Sequence, residues 1–302
     1  MTQRTTTSIE ITVPRAHHRS TFRSLQLGSY DPTIRVGERG LIAVRYDSIV
    51  EVHWETFQGT TTYRATLTGD SRNPLHVLEG LVGRHAIRPT KASDHPSVTR
   101  SISRHRHLRI AASGLPFIES VKAVIGQRIT AHDAALQWSR LVRATSQPVP
   151  AYEPFGLYEL PDPCILVGLG VSSFHRMGIE ERRARTIRQL ADLASRGHFD
   201  DITSSTKLLV RTEAVSGFGP WSRAVAVGNA FGDPDALPIG DFHHKNTVSW
   251  ALTNRPRGTD EEMTALLEPY AGWRWWVTRC LSMEHRAPRF DHRRRNLDIR
   301  VM

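Results

Sequence analysis

The chain has 302 residues, with 40 lysines and arginines against 30 aspartates and glutamates, which gives a formal net charge of +10 at pH 7. This length is enough for one large domain or two ordinary ones, of which we expect two, and the basic charge favours a polyanionic partner without separating DNA from RNA or an anionic membrane. The composition argues against a disulfide framework, a zinc site or an iron–sulfur cluster, because the only cysteines, Cys164 and Cys280, lie far apart in sequence.

Residues 1–90 have the pattern of a small antiparallel sheet. Segments rich in Val, Ile, Thr and aromatic residues predict strands at 9–13, 40–46, 49–57 and 61–67, followed by a helix at 75–82. The segment 88–113 is polar and basic, which predicts a linker that can contain one solvated helix. We therefore place a domain boundary at residue 90, between a sheet domain at 1–90 and a helical domain at 91–302.

The helical domain shows apolar residues at a period near 3.6, first over 117–129 and again over 184–194. The second of these helices is predicted to stop at Gly197. Near the end of the chain, five residues have the spacing of a buried helix face: Trp273, Trp276, Val277, Cys280 and Leu281. Trp275 falls outside that stripe. The whole pattern predicts an α+β fold that is mainly α-helical.

A Gly-Phe-Gly turn lies between two helical stretches in the segment 206–232. Pro220 is expected to begin the second helix, where its missing N–H costs nothing. Gly217 and Gly219 allow φ > 0 and close approach of a ligand, and the N–H groups at a helix start suit a phosphate oxygen. The alternative is an ordinary helix end followed by an ordinary helix start. Four residues are expected on one side of the first helix: Leu208, Leu209, Thr212 and Val215.

Three motifs follow one another at this point: Gly217-Phe218-Gly219-Pro220-Trp221, Gly232-Asp233-Pro234-Asp235-Ala236 and Pro238-Ile239-Gly240-Asp241. Together with a Gly-Gln-Arg-Ile-Thr element at 126–130 and with Lys245, they resemble the helix-hairpin-helix (HhH-GPD) DNA glycosylase superfamily, and within it the bacterial 3-methyladenine DNA glycosylase II type. The resemblance covers about residues 115–285. It implies a helix-hairpin-helix glycosylase fold preceded by a small N-terminal α/β sheet domain, with damaged double-stranded DNA as the partner.

Asp241 is the catalytic carboxylate that the resemblance implies. Departure of a base leaves an oxocarbenium-like sugar, which a nearby anion stabilises while it orients or deprotonates the attacking water. An Asp between Gly240 and Phe242 is also a good helix N-cap. The two roles are compatible, because the helix dipole keeps such a carboxylate ionised.

Trp221 occupies the position at which relatives that also cut the DNA backbone carry a Schiff-base lysine. The resemblance therefore implies a monofunctional enzyme without lyase activity. Trp221 either lines a base pocket, together with Trp275, or is a core residue. An aromatic pocket would attract a cationic alkylated purine.

Several other residues are assigned to DNA by the resemblance. Gln127 and Arg128 resemble the segment that enters the duplex when a nucleotide is flipped, although a packed helix end is the alternative. Lys245 and the turn residues Gly217, Phe218 and Gly219 are expected to contact DNA. A monovalent cation bridging to phosphate is implied at three backbone carbonyls, those of Glu213, Val215 and Gly217. No catalytic metal and no other cofactor is expected, and His243 and His244 lack complementary ligands for zinc.

The aromatic lining of the base pocket departs from the closest branch of the superfamily. Val225 stands where that branch often has an aromatic residue, and none is evident at Ser282. Alkylated purines are the favoured substrates, but another lesion or weak activity stays open. The alternative function is a non-catalytic or weakly active DNA-binding protein that recognises distorted duplex. RNA binding is disfavoured, because the sheet lacks an aromatic strand motif.

The basic segment 285–295 predicts either a nonspecific phosphate contact or a solvated chain end. No stretch of the sequence has the length of apolar residues that a signal peptide or a membrane span requires. We therefore expect a soluble, cytoplasmic and nucleoid-associated monomer.

Overall fold

The computed structural model describes residues 5–16, 18–84 and 95–288. The strands are β1 (Thr6–Pro14), β2 (Ile34–Val36), β3 (Gly40–Val44), β4 (Ser48–Phe57) and β5 (Thr60–Gly69). The helices are α1 (His18–Phe22), α2 (Pro74–Leu81), α3 (Pro96–Arg104), α4 (Pro116–Ile125), α5 (Ala131–Thr145), α6 (Pro163–Gly168), α7 (Val171–Arg176), α8 (Glu181–Ser195), α9 (Ser205–Arg211), α10 (Pro220–Phe231), α11 (Phe242–Thr253), α12 (Asp260–Leu267) and α13 (Arg274–Glu284). This order confirms an α+β fold with a sheet followed by helices. Of the basic segment 285–295, the structure describes residues 285–288, and residues 289–295 lie outside the described part of the chain.

The five strands form one antiparallel sheet in the order β1-β5-β4-β3-β2. Alternate residues of β4 and β5, including Val50, Val52 and Tyr63, point to one face and are buried there with Phe22 of α1 and Leu78 of α2. The four predicted strands are confirmed. The prediction omitted β2 and α1, because three and five residues are too few for a hydrophobic period to show.

The segment 105–113 is packed into the protein. Leu108 and Ile110 lie in one hydrophobic core with residues of α11 and α13, and Ala111 lies in the core of the sheet. The Ala112 N–H donates to the Gly80 carbonyl at 2.8 Å. The prediction of a linker is therefore wrong for these residues, because a few apolar side chains within a basic stretch fill the space between the sheet and the helices. The predicted boundary at residue 90 lies outside the described residues.

Helix α4 is the buried centre of the helical region. Every residue from Phe117 to Ile125 is buried, and the helix packs against α5, α8 and α10. The predicted helix over 184–194 is confirmed as α8, which stops before Gly197, where φ is +77°. Within the described part of the chain, no helix combines the length and the apolar character needed to cross a lipid bilayer.

A buried charged network ties the sheet region to α4 and α5. The Lys122 Nζ atom lies 3.2 Å from Asp31 Oδ2 and donates to the Leu25 carbonyl at 3.1 Å, while Trp138 Nε1 donates to Asp31 Oδ1 at 2.8 Å. Burial by itself would raise the pKa of Asp31, but Lys122 and the hydrogen-bond donors hold it below its usual value. Removing one partner would leave a buried charge uncompensated, so the network fixes the position of α4.

Candidate active site

Helices α9 and α10 form the hairpin that the sequence predicts. Helix α9 ends at Arg211, the chain turns, and α10 begins at Pro220 with Gly219 as its N-cap. Leu208, Thr212 and Val215 are buried, although Thr212 and Val215 lie beyond the end of α9. Leu209 is 40% exposed, so its predicted place on the same side as Leu208 is wrong, because neighbouring residues of a helix point about 100° apart.

The two glycines of the turn differ in what they do. Gly217 has φ +83°, and a Cβ atom there would lie 2.3 Å from Thr186 Oγ1. Gly219 has φ −80°, so the prediction of positive φ holds for Gly217 and is wrong for Gly219. A Cβ on Gly219 would meet no atom within 4 Å. The N–H groups in the first turn of α10 have no acceptor within the helix. The open space at Gly219 therefore lies next to N–H groups that can bind an anion.

Phe218 and Gln127 are both held by the protein itself. The Phe218 side chain is 1% exposed and packs in the helical core, so only its backbone is available to DNA. Gln127 Nε2 donates to the Gly217 carbonyl at 2.8 Å and to Ser222 Oγ at 2.7 Å. The resemblance implies that Gln127 enters the DNA duplex, but in this structure its side-chain amide holds the hairpin turn in place.

Arg128 occupies the turn between α4 and α5. It is exposed and has φ +57°, which is uncommon for a residue with a side chain. The turn is fixed on one side by Gln127 and on the other by Thr130, whose hydroxyl caps α5 by accepting the Asp133 N–H. Such backbone strain is often found at functional positions, and here it directs an arginine outward beside the hairpin.

Asp241 is the N-cap of α11, which confirms the capping role predicted from the sequence. Its Oδ1 atom accepts the N–H groups of His243 at 2.8 Å and His244 at 3.0 Å. Its Oδ2 atom accepts Nε1 of Trp221 at 2.9 Å. The hairpin and α11 are therefore joined through this carboxylate.

The pKa of Asp241 is lowered from its usual value. Burial by itself would raise it, but His244 in its protonated form, the Trp221 N–H and the two backbone N–H groups outweigh that effect. Burial also lowers the pKa of His244, more than the Asp241 carboxylate raises it, so the imidazole is neutral at neutral pH. We therefore attribute the ionised state of Asp241 at that pH to its three N–H donors.

Trp221 lies between the Asp241 carboxylate and Gly126, the C-cap of α4. A Cβ on Gly126 would come within 3.3 Å of Trp221 Cη2, so the glycine leaves the space that the indole ring fills. The ring is partly exposed. Trp221 thus positions Asp241 through its N–H and contributes an aromatic surface beside it.

His244, whose backbone N–H donates to Asp241, also contacts Trp275. Their rings meet edge to face, with centroids 5.0 Å apart. Within the described residues, the buried Nδ1 atom of His244 has no hydrogen-bond partner. From the sequence His244 was considered only as a zinc ligand, a role that was rejected, and its place beside Asp241 was missed. A usable signal was its place one helical turn after Asp241, on the same side of α11.

Asp235 fixes the start of α13 and hence Trp275. Its carboxylate accepts the Gly272 and Arg274 N–H groups at 2.9 and 3.0 Å, together with the Arg274 guanidinium. The pKa of Asp235 is lowered, because these donors outweigh its burial. From the sequence Asp235 had no role apart from its membership of the Gly-Asp-Pro-Asp-Ala motif.

Lys245 is engaged within the protein. Its Nζ atom lies 3.1 Å from Asp260 Oδ2, while Asp260 Oδ1 accepts the Gly240 N–H at 2.9 Å. The pair ties the start of α12 to the loop that precedes Asp241. A contact of Lys245 with DNA would have to share this ion pair or break it.

Comparison with known proteins identifies the fold. No protein-family sequence model matches the chain, and no curated protein sequence matches it. The structure of 3-methyladenine DNA glycosylase from Archaeoglobus fulgidus matches with a TM-score of 0.72 at 17% identity, over 91% of this chain and 97% of that one. The 8-oxoguanine glycosylase/lyase of Clostridium acetobutylicum, in complex with double-stranded DNA containing cytosine opposite 8-oxoguanine, matches with a TM-score of 0.67 at 12% identity, over 92% of this chain and 95% of that one.

The matches extend over nearly the whole chain, so they include the sheet region as well as the helices. They confirm the glycosylase fold implied by the resemblance. The fold alone does not determine the reaction, since one matched protein is named a 3-methyladenine DNA glycosylase and the other an 8-oxoguanine glycosylase/lyase.

Proposed function

We propose that the protein is a DNA glycosylase that takes a damaged base out of duplex DNA and hydrolyses its N-glycosidic bond. The observation that carries the proposal is Asp241, an ionised carboxylate at the start of α11, held by Trp221 and flanked by His244 and Trp275. The fold of DNA glycosylases supports it. We propose that the protein acts as a monomer on the DNA of the nucleoid, in the cytoplasm.

Asp241 can still accept one more hydrogen bond in addition to those that hold it in the structure. A carboxylate has about four lone-pair directions, and Asp241 uses three of them for His243, His244 and Trp221. The remaining direction, on Oδ2, is available to orient a water molecule. Its negative charge stabilises the positive charge that develops on the sugar as the base leaves.

We further propose hydrolysis without cleavage of the DNA backbone. A lyase step needs a neutral primary amine that attacks C1′ of the sugar and forms a Schiff base. Trp221 offers only an indole N–H, which is already donated to Asp241, and the amine of Lys245 is paired with Asp260. Borohydride reduction in the presence of lesion-containing duplex should therefore trap no covalent protein–DNA adduct. A trapped adduct would refute this part of the proposal.

Alkylated purines are the proposed substrate class. An N-alkylated purine is positively charged, so it is a good leaving group and is attracted to aromatic faces and to a carboxylate. Trp221, Trp275 and Asp241 offer that combination, and the neutral imidazole of His244 adds no opposing charge. Arg128 is the proposed residue that fills the gap in the duplex.

A DNA-binding protein without efficient catalysis is the second candidate. The observation that favours it is that all three hydrogen bonds of Asp241 would also form around a purely structural helix cap. In that case the hairpin and Arg128 would still recognise distorted duplex.

The two candidates are separated by one assay with two readouts. Duplexes that contain 3-methyladenine, 7-methylguanine or no lesion are incubated with the protein, and released base and alkali-labile sites are measured. Release from the alkylated duplexes alone supports the glycosylase. Absence of release together with tight binding of abasic or bulged duplex supports the binding protein.

A further inference from the structure

The hairpin brings two helix ends of opposite polarity together. Helix α9 ends at Arg211, and the carbonyls of its C-cap Thr212 and of Glu213 lie in the turn that follows, while α10 begins a few residues later at Pro220. The carbonyl end of a helix carries partial negative charge and the N–H end partial positive charge. An anion at the start of α10 is therefore repelled by the end of α9 unless a cation neutralises those carbonyls.

Arg223 places its guanidinium at this end of α9. Its Nη2 atom donates to the Glu213 carbonyl at 2.7 Å and to the Thr212 carbonyl at 3.1 Å. The residue lies in the first turn of α10, where its N–H donates to the Gly219 carbonyl at 3.0 Å. None of the ion pairs formed by the described residues includes Arg223, so its charge is not neutralised there by an acidic side chain.

The carbonyls suggested for a monovalent cation do not fit that role here. The Glu213 carbonyl accepts Arg223, the Val215 carbonyl accepts the Phe218 N–H at 3.2 Å, and the Gly217 carbonyl accepts Gln127 Nε2 at 2.8 Å. A metal ion bound by these oxygens would face three N–H groups that carry partial positive charge. Each oxygen keeps a second lone pair, but a metal ion that used the one on Glu213 would lie beside the Arg223 guanidinium, whose like charge opposes its binding.

We propose that Arg223 is the resident cation of the hairpin, so that binding of a DNA phosphate at the Gly219 turn needs no monovalent metal ion. The inference rests on the proposed DNA-binding function. A guanidinium stays charged at every pH at which the protein is folded, and its planar donors match two adjacent carbonyls. Arg223 is a positioning residue, because it neutralises the end of α9 and leaves the N–H groups of α10 to hold the phosphate.

The first test compares cations. Affinity of the full-length protein for a duplex with an abasic-site analogue is measured by fluorescence anisotropy in potassium chloride, sodium chloride and N-methylglucamine chloride at equal ionic strength. We expect dissociation constants that agree within about twofold in the three salts, since the positive charge at the hairpin belongs to the Arg223 side chain and not to a dissolved cation. Tighter binding in potassium than in N-methylglucamine by about tenfold or more would overturn the proposal.

The second test separates charge from hydrogen bonding. Arg223→Lys keeps the charge, whereas Arg223→Gln keeps an N–H donor and loses the charge. We expect Lys to bind the duplex nearly as wild type and Gln about tenfold more weakly, because one charge-assisted interaction is lost. Arg64→Ala, which removes an exposed arginine from β5, is the matched charge control. Wild-type affinity in Arg223→Gln with its fold intact by circular dichroism would overturn the proposal.

A third measurement does not depend on DNA. Thallium(I) is a spectroscopic substitute for potassium, and its NMR signal reports binding to the free protein. We expect no bound thallium in the wild type at millimolar concentration, and binding displaced by potassium would refute the role of Arg223. If the protein binds no duplex at all, the proposed function fails while this measurement still decides which cation the hairpin holds.

Discussion

Alanine substitution at the two hairpin glycines should separate folding from DNA binding. In Gly217→Ala, a side chain enters the left-handed region at φ +83°, which costs about 1–2 kcal/mol. The new Cβ would lie 2.3 Å from Thr186 Oγ1, which donates to the Ser216 carbonyl at 2.9 Å, and loss of that bond costs roughly 1 kcal/mol more. We expect a loss of about 2–3 kcal/mol in the free energy of unfolding, measured by urea titration.

Gly219→Ala should leave the fold unchanged and weaken DNA binding. The residue is in an extended conformation, and its Cβ would meet nothing within 4 Å, so stability should change by less than about 1 kcal/mol. The same methyl group would occupy the space in which we place the phosphate, and we expect affinity for duplex to fall about tenfold. The reasoning is refuted if Gly219→Ala binds duplex as wild type, or if it loses as much stability as Gly217→Ala.

Two further predictions concern the carboxylates of the site. Trp221→Phe removes one N–H donor from Asp241, so its pKa, followed by carboxyl ¹³C NMR, should rise. Base release at pH 7 should fall about tenfold, because the indole N–H no longer orients the carboxylate. Trp275→Phe, whose ring contacts His244, is the matched control and should leave that pKa unchanged. Asp235→Asn should lower the free energy of unfolding at pH 7 by about 2 kcal/mol, because Arg274 and the start of α13 lose their acceptor. Since the folded-state pKa of Asp235 is lowered, its contribution is present above about pH 4 and is lost as the pH falls through the folded-state value. The variant and the wild type should therefore converge in acid, and an equal difference at pH 7 and pH 3 would contradict this account.

The sequence predicts those parts of the fold that depend on neighbours along the chain. The alternation of β4 and β5, the Pro220 helix start and the Asp241 cap each follow from residues within one or two turns, and each is present. Gly217 and Gly219 look alike in sequence. Only the structure shows that Gly217 is needed for its positive φ, whereas Gly219 borders open space.

The parts that the sequence could not predict depend on partners far along the chain. Gln127 meets the hairpin across 90 residues, and Lys245 meets Asp260 across 15, so neither pairing is visible in a local pattern. The apolar residues of 108–111 look like part of a basic linker until both cores that receive them are known. Arg223 belongs to the same class, because its carbonyl partners come from the other helix of the hairpin.

The most direct test of the proposed chemistry is the single-turnover rate of base release from methylated duplex by wild type and Asp241→Asn. The asparagine side chain can still accept a hydrogen bond from Trp221, but it lacks the negative charge that stabilises the sugar. We expect the rate to fall by at least about 100-fold, with affinity for an abasic duplex retained, while Asp192→Asn on the surface of α8 keeps the wild-type rate. Release by Asp241→Asn at the wild-type rate would contradict the assignment of Asp241 as the catalytic carboxylate.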